Sequence, residues 1–475
     1  MIQERKPVTY FTHYYSDKAI TFYVLALFAS NLVFFSHVLS PMWWIFGLVE
    51  VIGFFYFSNT LSKQWQRLSL NRFPKKLFAT ALMIRLVWVI VSYFFYTWQT
   101  GKPFEFDAAD ALGYHDDGLW IASLISKGSL KGYIDSLNGR YSDLGYALYL
   151  GTQYFFTGGI IIIERLLKAV YGAYTCVLIY RLAQRTFGET VARNAAIFCM
   201  LMPNLILYTG IHVKEVEMLL LTVWYIERSD FLLRSKALNF QVVFPVIALA
   251  GSLFFFRTVL GATAVFALFT ALMFSSEHVM NMGKRLILII WLTGTAAFFV
   301  GGAIANEVEA VWAARQNNQE KSMDMRATQK NGNKYAKKMG AAVFAPMMFV
   351  IPFPTVVETP KQQNQKIING GNYVKNVLAF FVIFGMFTLI KENRWRDYLL
   401  IGSFVVGYLI VLAFSAFAQS ERFHQPVLPF EMIFAAYGFS LMTKRNRKIF
   451  DRWMLALVLM IIGWSWFKLA GRGMV

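Results

Sequence analysis

Leu77–Trp98 reads LFATALMIRLVWVIVSYFFYTW, an apolar run close to the ~20 residues that a helix needs to cross about 30 Å of hydrocarbon. Similar runs recur along the chain without strand-like alternation, so helices do the spanning. Composition agrees: 57% hydrophobic, 17% aromatic and only 15% charged residues lie outside the range of soluble domains. Apolar length and flanking charge predict an all-α polytopic membrane protein with about 13 transmembrane helices. They fall near 20–39, 41–58, 77–98, 159–180, 191–209, 213–227, 241–256, 258–275, 285–305, 373–390, 398–417, 427–442 and 450–469.

Lysine and arginine in the short loops set the orientation. Arg5, Lys6 and Lys18 precede the first span, and Lys63, Arg67, Arg72, Lys75 and Lys76 separate the second from the third. Later spans close on Arg181 and Arg185, on Arg228, Arg234 and Lys236, on Lys284 and Arg285, on Lys391, Arg394 and Arg396, and on Lys444, Arg445, Arg447 and Lys448. All these clusters fall on one side, which predicts a cytoplasmic N-terminus. The net charge of +19 is then a topology signal, and no nucleic-acid partner is expected. The first span is too long, with flanks too poor in small residues, for a cleavable signal peptide. Cys176 and Cys199 both fall inside predicted spans, so neither a disulfide framework nor a zinc site is implied. Basic inner loops without an organelle-targeting signal fit a bacterial cytoplasmic (inner) membrane.

Two long stretches then face outward, 99–158 and 306–373. The first holds Phe106–Leu119, FDAADALGYHDDGL, with four carboxylates, a histidine and a tyrosine. It is followed by amphipathic pieces expected to lie on the membrane surface. The second carries Lys321, Lys330, Lys334, Lys337 and Lys338, then turns apolar in a segment broken by Pro346, Pro352 and Pro354. That interruption predicts an interfacial or re-entrant segment, and the lysines are either a solvated face or a receiver of lipid phosphate. The chain accordingly divides into a two-helix extension (1–76), a core membrane module (77–305), the second outer loop (306–372) and C-terminal spans (373–475).

A helix starting at Asp107 would place Asp107, Asp110, Tyr114 and Asp117 on one face, with His115 and Asp116 directed elsewhere. Carboxylates crowded at a membrane surface have raised pKa values, as a general base requires; the bland alternative is an acidic, solvated loop that favours a helix N-terminus. A divalent cation, Mg²⁺ or Mn²⁺, would draw on Asp107, Asp110 and His115, although no paired-histidine motif is present.

These motifs resemble the integral-membrane glycosyltransferases of the GT-C superfamily, particularly the branch of the protein mannosyltransferases and lipid A aminoarabinose transferases. The matching residues are Asp110, Tyr114 and His115, then Arg165 and 180–187. Two further segments fit: PNLILYTGIHVKEVEMLLL, with Lys214 and Glu215, and SERFHQPVLPFEMIFAAYG, with Arg422 and His424. The resemblance implies transfer of a sugar from a polyprenyl-phosphate or diphosphate carrier to an acceptor on the outer face, with inversion. It makes Asp110 the first candidate for the base, then Asp107 and Asp117. Arg422, Lys214 and Arg257 are the candidate cations for the leaving phosphate, and Tyr114 and His115 the candidates for orienting sugar hydroxyls. Each has a structural alternative: snorkelling for Arg257, a local ion pair for Lys214 and Glu215, and pairing with the loop acids for Arg422. With no large soluble C-terminal domain recognisable, a lipid-linked glycan or lipid is the expected acceptor. A polysaccharide polymerase or O-antigen ligase is the alternative, and a lipid-carrier flippase or transporter the second.

Overall fold

A computed structural model describes residues 9–136, 144–235, 238–276, 345–360, 362–415 and 418–470, with isolated positions between 279 and 290 and Met474. Every regular element among the described residues is helical: α1 His13–Val33, α2 Pro41–Gln64, α3 Arg72–Thr100, α4 Ala109–Ser126, α5 Lys131–Ser136, α6 Leu144–Thr157, α7 Ile161–Phe187, α8 Glu189–Leu201, α9 Pro203–Leu207, α10 Glu215–Arg234, α11 Phe240–Phe256, α12 Thr258–Phe274, α13 Gln363–Ile367, α14 Asn369–Lys391, α15 Leu399–Ala413, α16 Glu421–His424, α17 Leu428–Ser440 and α18 Arg447–Ala470. The chain is a helical integral membrane protein.

The expected count of about 13 crossings is corrected. Among the described residues five helices are long and apolar enough to cross a bilayer: Pro41–Arg67, Arg72–Thr100, Asn369–Lys391, Trp395–Ala413 and Lys444–Ala470. Glu189–Leu201 and Pro203–Gly210, bent by 53°, make a sixth if they form one broken span. The shortfall has physical causes. The α11 and α12 helices stop at 17 residues each, about 26 Å at 1.5 Å per residue. At 13 residues α17 is shorter still, and every one of its side chains is buried. Helices α7 and α10 are long enough but carry Glu164, Arg165 and Lys168, and Glu215, Glu217, Glu227 and Asp230, all buried in the protein. Most of the expected span 285–305, and Lys321, Lys330, Lys334, Lys337 and Lys338, lie outside the described residues.

The most buried helices form the centre: α8 packs on α7, α17 and α2, and α14 packs on α17 and α2. Helices apolar all round belong inside. Where α14 crosses α17 the backbones touch: a Cβ on Gly438 would lie 1.9 Å from the Phe381 carbonyl oxygen and 2.9 Å from Gly385 N.

Polar contacts sort the helix ends into two layers. At one end Arg193 donates to the carbonyls of Trp65 (2.7 Å) and Leu68 (2.8 Å), Arg185 pairs with Glu227 (2.7 Å) and Asp230 (3.0 Å), and Tyr14 donates to Asp451 (2.7 Å). The basic loops therefore gather together. The opposite end holds 101–110, α4, α6, 211–214, the α11–α12 turn and α16.

The interrupted segment 350–359 is irregular and buried, apart from the half-buried Glu358. Its backbone is held by α14: Asn369 exchanges hydrogen bonds with Thr355 (2.9 and 2.7 Å), Lys375 donates to the Ile351 carbonyl (2.8 Å), and Asn376 to those of Pro352 (3.1 Å) and Val350. Non-helical backbone is tolerated at such depth only when protein satisfies it.

Gly438→Val should cost about 3 kcal/mol by overpacking the crossing, whereas Gly463→Ala, whose added Cβ meets nothing within 4 Å, should leave stability unchanged or slightly raised. Thermal midpoints of the detergent-solubilised variants check this contrast.

Candidate functional site

Helix α3 ends at Gly101, in the left-handed region (φ 75°), which turns the chain back over the helix ends. Phe104 and Glu105 are buried there. Asp107 also takes a positive φ of 49°, and its carbonyl accepts from Ala109 N (2.9 Å), so α4 starts at Ala109. This corrects the common face: Asp107 sits in the turn before the helix, while Asp110, Tyr114 and Asp117 are on it.

A cavity of about 270 Å³ opens between this turn, the end of α9 and α16, with Tyr96, Glu105, Asp107, Asp110, Tyr208, Asn364, Glu421 and Arg422 in its wall. Arg422 is the one cation among the lining residues. It is gripped from two sides: Nε donates to Glu215 and Nη1 to Asp110. The two carboxylates differ in setting, with the Glu215 side chain 1% exposed and that of Asp110 62% exposed. Burial opposes the charge on Arg422, but Glu215 and Asp110 outweigh it and hold the guanidinium more firmly protonated than usual. Burial pushes the carboxyls of Glu105 and Glu421 upward, only partly offset by backbone N–H donors and by nearby cations, Arg165 for Glu105 and Lys468 then Arg422 for Glu421.

Next to this cavity lies an apolar groove of about 470 Å³ between α2 and α3, lined by Phe46, Val49, Gly53, Phe57, Trp88 and Val91 among others. Leu207 stands in the wall of both, and its carbonyl accepts from the Trp88 indole (3.0 Å).

The other expected residues scatter around this centre. Tyr114 packs edge-on against Tyr146 (4.9 Å between ring centroids), and Lys214 lies 5.8 Å over the Tyr114 ring while reaching the Phe256 carbonyl (3.4 Å). Arg257 stacks 4.7 Å from the Phe423 ring, beside the segment that carries Arg422. His424 does not line the cavity: it is buried, with Nδ1 2.8 Å from Lys375 Nζ and Nε2 2.9 Å from the Ala418 carbonyl. Asp117 is exposed; partial desolvation, then the neighbouring Asp116, push its carboxyl up. Asp107, Asp110 and His115 do not form a ligand set, since among the described residues no three of His, Cys, Asp and Glu are grouped to hold a metal ion.

His115 faces inward instead. Its Nδ1 is 2.9 Å from Tyr154 Oη, Tyr154 Oη is 3.1 Å from His212 Nε2, and His212 Nδ1 is 3.2 Å from Glu164 Oε2. Lys168 closes on Glu164 Oε1 at 2.6 Å and is fixed by the carbonyls of Ile211 (2.9 Å) and Val213 (2.7 Å). Burial, and then the His212 ring, lower the His115 pKa, with Asp116 opposing. Glu105, Tyr208, Asn364, Tyr154 and His212 escape a reading by motif. Only His212 leaves a usable mark, as a lone imidazole in the polar break after Pro203.

Comparisons of the chain with known protein families, with curated proteins and with solved structures find no match.

Two outcomes follow for stability. Glu215→Gln breaks a buried pair and should cost about 3 kcal/mol, whereas Asp110→Asn, at an exposed carboxylate, should cost at most about 1 kcal/mol; chemical denaturation of both variants checks the ranking. The Glu105 value is raised above the ordinary 4.5, so the folded chain keeps a proton that the unfolded chain releases. This residue's contribution is full below pH 4.5 and lost as pH rises through the window above it. Glu105→Gln should therefore gain on wild type as pH rises above 4.5, and a melting-point difference that does not change with pH would sink that assignment.

Proposed function

We propose that this protein is a membrane glycosyltransferase with a GT-C-like core, which moves a sugar from a polyprenyl-phosphate or diphosphate carrier to a lipid-linked glycan or lipid, with inversion. The observation that carries this reading is the adjacency of a polar cavity holding Asp110 and Arg422 to an apolar groove through the shared wall at Leu207. A carrier lipid needs that pairing of environments, its isoprenoid chain in the groove and its phosphate in the cavity. Arg422 then stabilises the charge gathering on the departing phosphate, and Asp110 takes the acceptor's hydroxyl proton as the oxygen attacks the anomeric carbon. A donor phosphate that claims the Arg422 guanidinium frees Asp110 Oδ2, so donor binding exposes the base. Asp107, across the same cavity, is the second candidate, and Asp117 the third.

The gathering of the basic loops in one layer supports a cytoplasmic N-terminus. In this reading the membrane is a bacterial inner membrane and the cavity faces the periplasm or exterior.

The test is sugar transfer by the purified protein in lipid from polyprenyl-phosphate and polyprenyl-diphosphate donors, with Mg²⁺, Mn²⁺ or chelator. Asp110→Asn should lower turnover by about 10²-fold or more while keeping donor binding, and Arg422→Lys should weaken donor binding as the forked donor is lost. Gly53→Leu, built into open space in the groove, should raise the KM for long-chain donors and spare a short-chain one. No transfer by wild type from any donor, or a fully active Asp110→Asn, would overturn the reading.

A further inference from the structure

With both histidines neutral, the hydrogen bonds from His115 to Glu164 admit one self-consistent set of protons. Glu164, paired with Lys168 at 2.6 Å and receiving the Tyr146 hydroxyl at 3.2 Å, is an acceptor toward His212, so His212 carries its proton on Nδ1. Its Nε2 is then an acceptor and takes the Tyr154 hydroxyl at 3.1 Å. With that proton committed, the Tyr154 oxygen accepts from His115 Nδ1 at 2.9 Å. Every bond points the same way, and the lone pair left over is on His115 Nε2, the half-buried end of the chain on α4. The other three side chains are buried, with His212 and Glu164 at 0% exposure.

We propose that His115, Tyr154, His212 and Glu164 form a proton relay whose outer terminus, His115 Nε2, accepts a proton from a hydroxyl-bearing ligand at the α4 surface. The transfer balances: the ligand O–H proton goes to His115 Nε2, the Nδ1 proton of His115 to the Tyr154 oxygen, and the Tyr154 proton to His212 Nε2. The charge comes to rest as a His212 imidazolium against the Glu164 carboxylate, which stays ionised and held by Lys168. A histidine base oriented through a second group by a buried carboxylate is a recurrent way of activating a hydroxyl. Here Tyr154, His212 and Glu164 are positioning residues, since only His115 meets the ligand. The charged and titratable groups facing the relay are Asp116 from α4, Tyr146 from α6, Arg165 and Lys168 from α7, Glu217 from α10, and Glu105, whose Oε2 lies 3.5 Å from the His212 backbone N. In the transferase reading that ligand is the transferred sugar, whose hydroxyl meets His115 while Asp110 takes the acceptor's proton; the relay itself does not rest on that reading.

The experiment is nitrogen NMR of the full chain in nanodiscs with labelled histidine, the six histidines assigned by single His→Gln substitutions. His115 should be the Nδ1–H tautomer in wild type, and Tyr154→Phe should abolish that preference and shift the titrations of both His115 and His212. An Nε2–H tautomer in wild type, or a His115 signal and titration indifferent to Tyr154→Phe, overturns the relay whatever the activity. In the transfer assay Tyr154→Phe should lower kcat about 10-fold or more with KM unchanged. A transfer-dead wild type with the Nδ1–H tautomer intact would overturn the transferase reading and leave the relay standing.

Discussion

A guanidinium that is four-fifths buried needs countercharge, and Arg422 finds it on two separate helices, α4 through Asp110 and α10 through Glu215. Desolvation of such a group costs several kcal/mol unless carboxylates compensate. That requirement ties α16 to the N-terminal ends of α4 and α10 and brings together residues more than 300 positions apart. The polar cavity opens at this junction, with Asp107 and Glu421 in its wall. The same pair also separates roles: the buried Glu215 secures the fold, while the exposed Asp110 is free to exchange partners.

The helical class was legible in runs such as Leu77–Trp98, because the backbone in hydrocarbon has few ways to satisfy itself. The number of spans was not, because apolar composition reports removal from water without saying whether lipid or protein replaces it. Leu428–Ser440 shows the ambiguity well: it reads as a span, yet it is a short helix enclosed by α7, α8, α14 and α15. The expected spans 159–180 and 213–227 were overcounted despite their charges: Glu164 and Lys168 pair one turn apart within α7, while Glu227 and Asp230 of α10 are compensated by Arg185 from α7. Loop charge is a separate signal: Arg193 reaches the turn after α2, Arg185 the end of α10, and Arg447 the start of α1.

At the site, Asp110 and Arg422 stood out because charges are rare in this chain, and their meeting is a long-range fact that no local pattern encodes. Helical spacing placed Tyr114 and Asp117 on α4 with Asp110 but misjudged Asp107, whose left-handed backbone ends the preceding turn. His115, read as pointing away from the acidic face, does so, and its partners come from α6 and from the break after Pro203. The polar residues of α14 were invisible to hydropathy because their partners lie in a segment with no regular structure.

That last arrangement bears on how the chain enters the membrane during synthesis. Asn369, Lys375 and Asn376 would be a heavy polar load for a lone helix leaving the translocon. Their carbonyl partners at 350–355 precede them in the chain, so they emerge from the ribosome first and can accompany α14 as it partitions sideways. His424 and the Glu431 carboxylate, the remaining partners of Lys375, are translated some fifty residues later, which makes the C-terminal helices the step that seals an already half-satisfied intermediate.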